Sequence, residues 1–282
     1  MKIKSLVFNV AVAAGAFAAG SASAAGFALQ NQNGAGTGNA FAGAAAAAED
    51  ASTVYFNPAG MLLLPKGHNI TGAVTFLERS VEFSDRGTAR LGPFALGSDG
   101  GDGGSLAIVP AAYWSYSVTP DLAVGVGVGP TFGNKTEFDR DFIGRFSGYF
   151  AEIKQININP SLAYKLNDMV ALGFGLNFAK NETEFQQMAP LAAGFPIGVP
   201  VSIKGDDTAL GFNVGVLVQA TDTTRVGLTY HSKVDYKLKG HTKVESDSLL
   251  AGSAGKYDAS LELQTPESVD FSVTHALDER WT

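Results

Sequence analysis

In Val170-Ala-Leu-Gly-Phe-Gly-Leu-Asn-Phe178 every even position is large and apolar, and every odd position is small or polar. A strand patterned this way has one face suited to hydrocarbon and one suited to water, close packing or a ligand. The pattern recurs along the chain. Leu122, Val124, Val126 and Val128 alternate with Ala123, Gly125, Gly127 and Gly129. Leu210, Phe212, Val214, Val216 and Val218 alternate with Gly211, Asn213, Gly215 and Gln219, with Leu217 the exception. Val226, Leu228, Tyr230, Val234, Tyr236 and Leu238 alternate with Gly227, Thr229, His231, Lys233, Asp235 and Lys237. Strands are predicted over residues 68–79, 105–119, 121–138, 149–166, 169–187, 207–221, 224–239 and 258–275. Their spacing predicts an all-β fold, an antiparallel transmembrane β-barrel. Its large apolar sets face lipid, and Lys233 and Asp235 turn inward to avoid it. Thr119-Pro120-Asp121, Asn167-Asp168 and Thr221-Asp222-Thr223 read as tight periplasmic turns. Residues 79–104, 139–148, 188–206 and 240–257 read as long extracellular loops.

Two segments precede the strands. Lys2 and Lys4, an apolar run to Ala19 and Ala22-Ser23-Ala24 predict a secretory signal peptide over residues 1–24. The run is too short and too rich in Ala and Gly for a membrane anchor. Residues 25–64 do not alternate; they carry small residues, Ala44 to Ala48 and Asn57-Pro58. Short helices and tight turns are expected there, with Asn57-Pro58 ending one helix. The segment is either a flexible linker or a plug packed inside the barrel of residues 65–282. An eight-stranded barrel is just filled by its own side chains. A plug of about 40 residues therefore demands more strands, and the chain is expected to be a partial barrel that lacks its C-terminal strands.

Composition narrows the function classes. The net charge of −7 becomes −9 without the two leader lysines, which suggests no nucleic-acid partner. There is no cysteine, so neither disulfides nor thiolate metal sites arise. Mean hydropathy is only +0.09, and no later apolar run reaches the length of a membrane helix. The 34 glycines and 10% aromatic residues suit crowded inner faces and interfacial girdles.

Catalytic chemistry finds little support. His68, His231, His241 and His275 are far apart, and only His275 is expected to face outward. There is no Gly-x-Ser-x-Gly elbow and no metal-ligand spacing. Asp99 and Asp102 lie in Gly97-Ser-Asp-Gly-Gly-Asp-Gly-Gly104, which reads as a flexible loop before it reads as a calcium site. In Gly129-Pro130-Thr131-Phe132-Gly133, proline cannot donate to a ladder and glycine permits a bend. The stretch is either a functional break in pairing or an ordinary bulge at a strand end.

Several pieces together resemble the FadL-type outer-membrane transporters of long-chain fatty acids and hydrocarbons. They are Ala25-Gly-Phe-Ala-Leu29, Gly36-Thr-Gly-Asn-Ala-Phe-Ala-Gly43, Glu49-Asp50-Ala51, Asn57-Pro58-Ala59, Phe132-Gly133-Asn-Lys-Thr-Glu-Phe138 and Leu263-Gln-Thr-Pro266-Glu267. The resemblance implies an N-terminal hatch carrying the motif Asn57, Pro58 and Ala59. It implies passive transport of a hydrophobic compound, with lateral exit where the third strand kinks inward at Gly129, Pro130, Thr131, Phe132 and Gly133. Phe27 corresponds to an aromatic near the ligand pocket. Gln187 stands where the fatty-acid members carry a basic head-group residue, so an uncharged hydrophobe becomes comparable with a carboxylate. The expected partners are a hydrophobic small molecule and outer-membrane lipid, with no nucleic acid, cofactor or metal, and a monomer when full length. The alternatives are a general diffusion porin, which would need a charged open eyelet, and a structural or adhesive barrel; an enzyme is not expected.

Overall fold

The computed structural model describes residues 28–87, 96–190, 198–245 and 254–277. The expected leader, Phe27 and residues 278–282 lie outside them. The strands are β1 (His68–Glu78), β2 (Leu106–Thr119), β3 (Leu122–Gly129), β4 (Gly133–Glu137), β5 (Phe150–Lys165), β6 (Val170–Pro190), β7 (Gly198–Thr221), β8 (Thr224–His231), β9 (Val234–Val244), β10 (Gly255–Thr265) and β11 (Ser268–His275). All belong to one sheet whose pairs are antiparallel. Two residues or three separate β3 from β4, β8 from β9 and β10 from β11, so each pair is one interrupted crossing, and the eight expected crossings are present. At one edge β1 pairs only with β2; at the other β11 pairs with β8 and β10 with β9. The sheet is a curled half-barrel, open along one side.

The alternation places side chains as its period requires. Leu172, Phe174, Leu176 and Phe178 are 38–45% exposed on the outer face. Asn177, between them, hydrogen-bonds Asn157 and Asn213 on the inner face. Leu217, the exception to its strand's pattern, is buried inside against Ala46 and Ala59. Near the periplasmic turns His68, Trp114 and Tyr116 stack, with His68–Tyr116 centroids 4.5 Å apart. His68 thus shares the exposed face of β1 with Ile70 and Val74, contrary to the expectation that only His275 faces outward. Stacking on indole and phenol lets an imidazole sit in an interfacial girdle.

The strands are longer than the membrane requires. β6 has 21 residues and β7 has 24, whereas a tilted strand crosses hydrocarbon in about 9–11. β7 begins at Gly198 rather than at 207, and β9 and β10 reach Val244 and Gly255, so much of two expected loops is strand. The outer face changes character over a narrow band. On β6 and β7 it passes from Phe178 and the paired Leu210 to Lys180 and Thr208; on β5 it passes one outer pair later, from Ile156, opposite Lys180, to Lys154.

One facing assignment is reversed. Val234, Tyr236 and Leu238 are buried inside at 6%, 1% and 2%, packed with Ala179. Lys233 and Asp235 are 55% and 61% exposed on the outside. The cause is an extra residue. Asn213 pairs with His231, yet Asp206 pairs with Lys239, so the register shifts by one across Ser232-Lys233. A bulge of this kind exchanges the two faces of every later residue.

Residues 28–64 lie along the inner face as short helices: α1 (Gly34–Gly38), α2 (Ala44–Ala47), α3 (Thr53–Phe56) and a 3-10 turn (Pro58–Leu63). Asn57 ends α3 and caps the 3-10 turn, accepting from the Ala59 N–H at 3.1 Å. Pro58 sits at the first position of that turn, where its missing N–H costs nothing. Val54, Ala59 and Met61 are at most 1% exposed, closed against the inner wall.

Candidate functional site

The wall is incomplete at one place. The β2–β3 ladder ends at Ala112↔Val128. Beyond it, Leu106 to Ala111 pair with β1 alone, and β4 pairs with β5 alone. Pro130, Thr131 and Phe132 separate β3 from β4, and the β5 register shifts by one between Gly129↔Asn157 and Gly133↔Lys154. Pro110 and Pro130 both border the interval; neither can donate to a ladder.

A cavity of about 470 Å³ fills this interval. Its lining draws on both faces of β2: Leu106 and Ile108 from the exposed outer face, Val109 from the buried inner face. Phe132 and Ile156 add to the apolar body. Arg79, Lys135 and Lys154 border it. The Arg79 guanidinium spans from the end of β1 to β4, donating to Asn134 Oδ1 and to the Lys135 carbonyl. Lys135 pairs with Glu137 at 2.8 Å and Lys154 with Glu152 at 3.0 Å.

The N-terminal segment closes the inner side. Ala28 forms an antiparallel bridge with Phe132, and the Leu29 N–H donates to the Thr131 carbonyl at 2.9 Å. Gln32, 1% exposed, donates through Nε2 to the carbonyls of Leu29 and Pro130, each at 2.8 Å. Its Oε1 accepts from the Tyr113 hydroxyl of β2 at 2.6 Å. Thr131 Oγ1 accepts from Gln155 Nε2 at 2.9 Å. Alignment with a strand end that lacks a partner satisfies backbone groups that lipid would leave bare.

Asn57, Pro58 and Ala59 are placed elsewhere, under β6 and β7. Asn57 Nδ2 donates to the carbonyls of Ala45 at 2.7 Å and Val216 at 3.1 Å. The inner wall is carved to receive them. A Cβ on Gly173 would collide with the Ala59 nitrogen, one on Gly215 with Asn57 Oδ1, and one on Gly227 with the Ala45 carbonyl.

Of the residues singled out from sequence, Gly129, Pro130, Thr131, Phe132 and Gly133 lie together at the interval. Phe27 lies outside the described residues. Gln187 sits on β6 opposite Val201 and does not line the cavity. The basic groups that do, Arg79, Lys135 and Lys154, were not singled out, nor were Gln32 and Tyr113. The run Gln30-Asn31-Gln32-Asn33, polar inside an otherwise small-residue segment, was the available signal.

Asp102 ties two parts of its loop together. Its carboxylate accepts from the N–H groups of Val81 at 2.7 Å and Gly104 at 2.8 Å, which lowers its pKa. Among the described residues no group of three His, Cys, Asp or Glu could hold a metal ion.

A family model described as "Outer membrane protein transport protein (OMPP1/FadL/TodX)" matches residues 15–282. Outer membrane protein P1 of Haemophilus influenzae is 28% identical over 272 residues, covering 83% of this chain and 58% of that protein. The long-chain fatty acid transport protein of Escherichia coli K12 is 26% identical over 270 residues, covering 83% and 59%. The chain therefore spans under two thirds of the length of these relatives. A crystal structure of a Pseudomonas aeruginosa FadL homologue superposes with a TM-score of 0.73 at 24% identity, over 90% of this chain and 67% of that one. The Ralstonia pickettii toluene transporter TbuX superposes with a TM-score of 0.65 at 16% identity, over 89% and 70%. With a half-barrel wall, a segment lying along its inner face and a family match across nearly the whole sequence, this chain belongs to the OMPP1/FadL/TodX family of outer-membrane proteins.

Proposed function

We propose that this chain serves passive uptake of hydrophobic compounds across the outer membrane. The N-terminal segment acts as a hatch, and the ligand leaves sideways beside Gly129–Gly133. The observation that carries this reading is the cavity between β2 and β4, lined from both faces of β2 where its ladder stops. A route through the wall into lipid needs such a lining; a route to the periplasm does not. Relatives named for fatty acids and for toluene support long-chain fatty acids or hydrocarbons as the substrate class. Arg79, Lys135 and Lys154 favour a carboxylate-bearing ligand, whose chain would lie on Leu106, Ile108 and Phe132. Arg79 is the strongest of the three for this role, because the acceptors it holds are neutral.

The test is to restore pairing in the full-length protein with Pro130→Val and Gly133→Val. Space allows the second change: a Cβ on Gly133 meets Leu29 Cδ1 at 3.3 Å, a movable side-chain end. Uptake of fatty acid or hydrocarbon falls sharply while insertion and protease resistance persist. Unchanged uptake at matched protein level refutes lateral exit. A porin would instead give stable open channels in a planar bilayer, where a plugged transporter stays nearly silent.

A further inference from the structure

We propose that Gln32 is the latch of the lateral opening: its one amide ties the N-terminal segment to both lips of the gap, and its release is the step that opens the cavity inward. The inference rests on the transport reading above. It adds a residue and a chemical event that neither the strand pattern nor the family match assigns.

The geometry is specific. One lip of the gap is β2, held at Tyr113, which lies just inside the last ladder pair, still opposite Gly127, and whose hydroxyl donates to Gln32 Oε1 at 2.6 Å. The other lip is the β3–β4 break, represented by the Pro130 carbonyl, which accepts from Gln32 Nε2 at 2.8 Å. The same nitrogen also reaches the Leu29 carbonyl at 2.8 Å, so it braces the segment that pairs with Thr131 and Phe132. An amide carries two N–H groups and one carbonyl oxygen, and here every one of those groups is engaged. The next ladder position after Ala112↔Val128 would join Ala111 to Gly129; a Cβ on Gly129 would lie 3.3 Å from Gln32 Oε1 and 3.2 Å from Ala111 Cβ. Gln32 thus stands where β2–β3 pairing fails, and its side chain joins the two strands there through the Tyr113 hydroxyl and the Pro130 carbonyl.

This arrangement is suited to a gate. Backbone pairing between β2 and β3 would be permanent, renewed along a whole strand. The two bonds from this side chain to the wall, at Tyr113 and Pro130, hold firmly while buried, yet both are released together when the segment withdraws, and the bond to Leu29 travels with it. Leu29 and Ala28 line the cavity directly. A hydrophobic ligand that enlarges the cavity on that side displaces them first, and Gln32 follows because its nitrogen is bonded to Leu29.

The experiment uses the full-length protein with Ala28→Cys and Phe132→Cys. These residues form an antiparallel bridge, whose Cα spacing suits a disulfide. The rate of oxidative cross-linking reports the latched state. Into this background go Gln32→Met, which keeps the volume and loses all three bonds, Gln32→Glu, which keeps only an acceptor for Tyr113, and Tyr113→Phe. Cross-linking slows at least about fivefold in Gln32→Met, with the other two intermediate. In the reduced proteins maximal uptake rises with the half-saturating ligand concentration unchanged, which a loss of folding would not produce. Gln32→Met cross-linking at the unmodified rate overturns the latch. The reading it rests on has a separate signature: the oxidised pair, with Gln32 intact, must block uptake and recover on reduction. If cross-linking slows in Gln32→Met but the oxidised pair transports normally, the latch forms without gating, and both the proposal and lateral exit fall. If the oxidised pair blocks uptake while Gln32→Met cross-links normally, lateral exit stands and the latch alone falls.

Discussion

Replacing Gly173 by alanine should undock the N-terminal segment while leaving the wall intact. The added methyl would run into the Ala59 nitrogen and lie 2.7 Å from the Pro58 carbonyl carbon and 2.8 Å from Pro58 Cβ. Ordinary contacts between such atoms need about 3.5–4 Å, so backbone must move by roughly 1 Å. The Asn57 to Val216 hydrogen bond, now 3.1 Å, is lost by such a shift, whereas the bond to Ala45 travels with the segment. Overpacking costs about 1–3 kcal/mol and an orphaned buried amide about 1–3 more. Docking therefore weakens by about 2–6 kcal/mol, or roughly 30-fold to 10⁴-fold. Gly205→Ala is the control, because its methyl would meet Leu238 Cβ at an ordinary 3.4 Å. In the full-length protein, limited proteolysis within residues 28–64 and conductance in planar bilayers should both rise for Gly173→Ala and not for Gly205→Ala. A Gly173→Ala protein as protected and as silent as the unmodified one would refute the docking argument, as would equal effects from the two substitutions.

Other expectations concern separate parts of the molecule. Asn57→Ala loses the bonds to Ala45, Val216 and Ala59, and should raise bilayer conductance with a docking loss of about 2–4 kcal/mol. Phe174→Lys, at the middle of the lipid-facing set, should destabilise the barrel in a folding titration by about 2–4 kcal/mol, and Phe178→Lys, at its upper limit, by no more than about 1; equal costs would misplace the hydrocarbon boundary. Arg79→Gln should weaken uptake of fatty acids relative to neutral hydrocarbons, measured as a competition ratio, by about tenfold. The carboxyl of Asp102 is held below the usual range by the N–H groups of Val81 and Gly104. The loop order it supports is therefore full above the ordinary carboxylate range and lost as pH falls through the lowered value. Amide exchange at Val81 should accelerate only in that acidic window.

Much of the wall was legible because hydrocarbon imposes a simple rule on strands that cross it. β3, β5, β6 and the lower part of β7 obey period two over about the length a membrane requires. Backbone chemistry marked Gly129–Gly133 as either a break in pairing or an ordinary bulge, and residues 130–132 separate β3 from β4. Gln32 was not legible, because a single buried amide leaves no periodic trace, and its partners are remote in sequence at Tyr113 and Pro130. Gln187 was chosen by alignment position, and the three-dimensional neighbours of the cavity are instead Arg79, Lys135 and Lys154. Their nearness depends on how far the β1 end and β4 converge, which pairing registers decide and local sequence does not.

The reversal at Ser232-Lys233 has a physical lesson. Val234, Tyr236 and Leu238 resemble a lipid-facing set, and Lys233 and Asp235 resemble lumenal groups, only if hydrocarbon lies outside them. On β7 the outer face passes from Leu210 to Thr208 and Asp206, and Asp206 pairs with Lys239, whereas Ser232 hydrogen-bonds Phe212 and Val234 lies beside Gly211, level with the last apolar outer residues. The exposed Lys233 and Asp235 stand at the edge of the apolar band, where they pair with each other at 3.7 Å and the long lysine side chain can extend toward the head-group level. Inside, the same height lies above the amides Asn159, Asn177 and Asn213 that hydrogen-bond across the lower wall. The apolar inner cluster is buried against Ala179, Ala209 and Leu263, so it packs the wall together rather than lining open space. One inserted residue is enough to accomplish the exchange, since it moves every later side chain to the opposite face. Polarity along a long barrel strand therefore has to be read against its register as well as its period, because the bulge at Ser232-Lys233, and not the apolar pattern, decides which set of β9 turns inward.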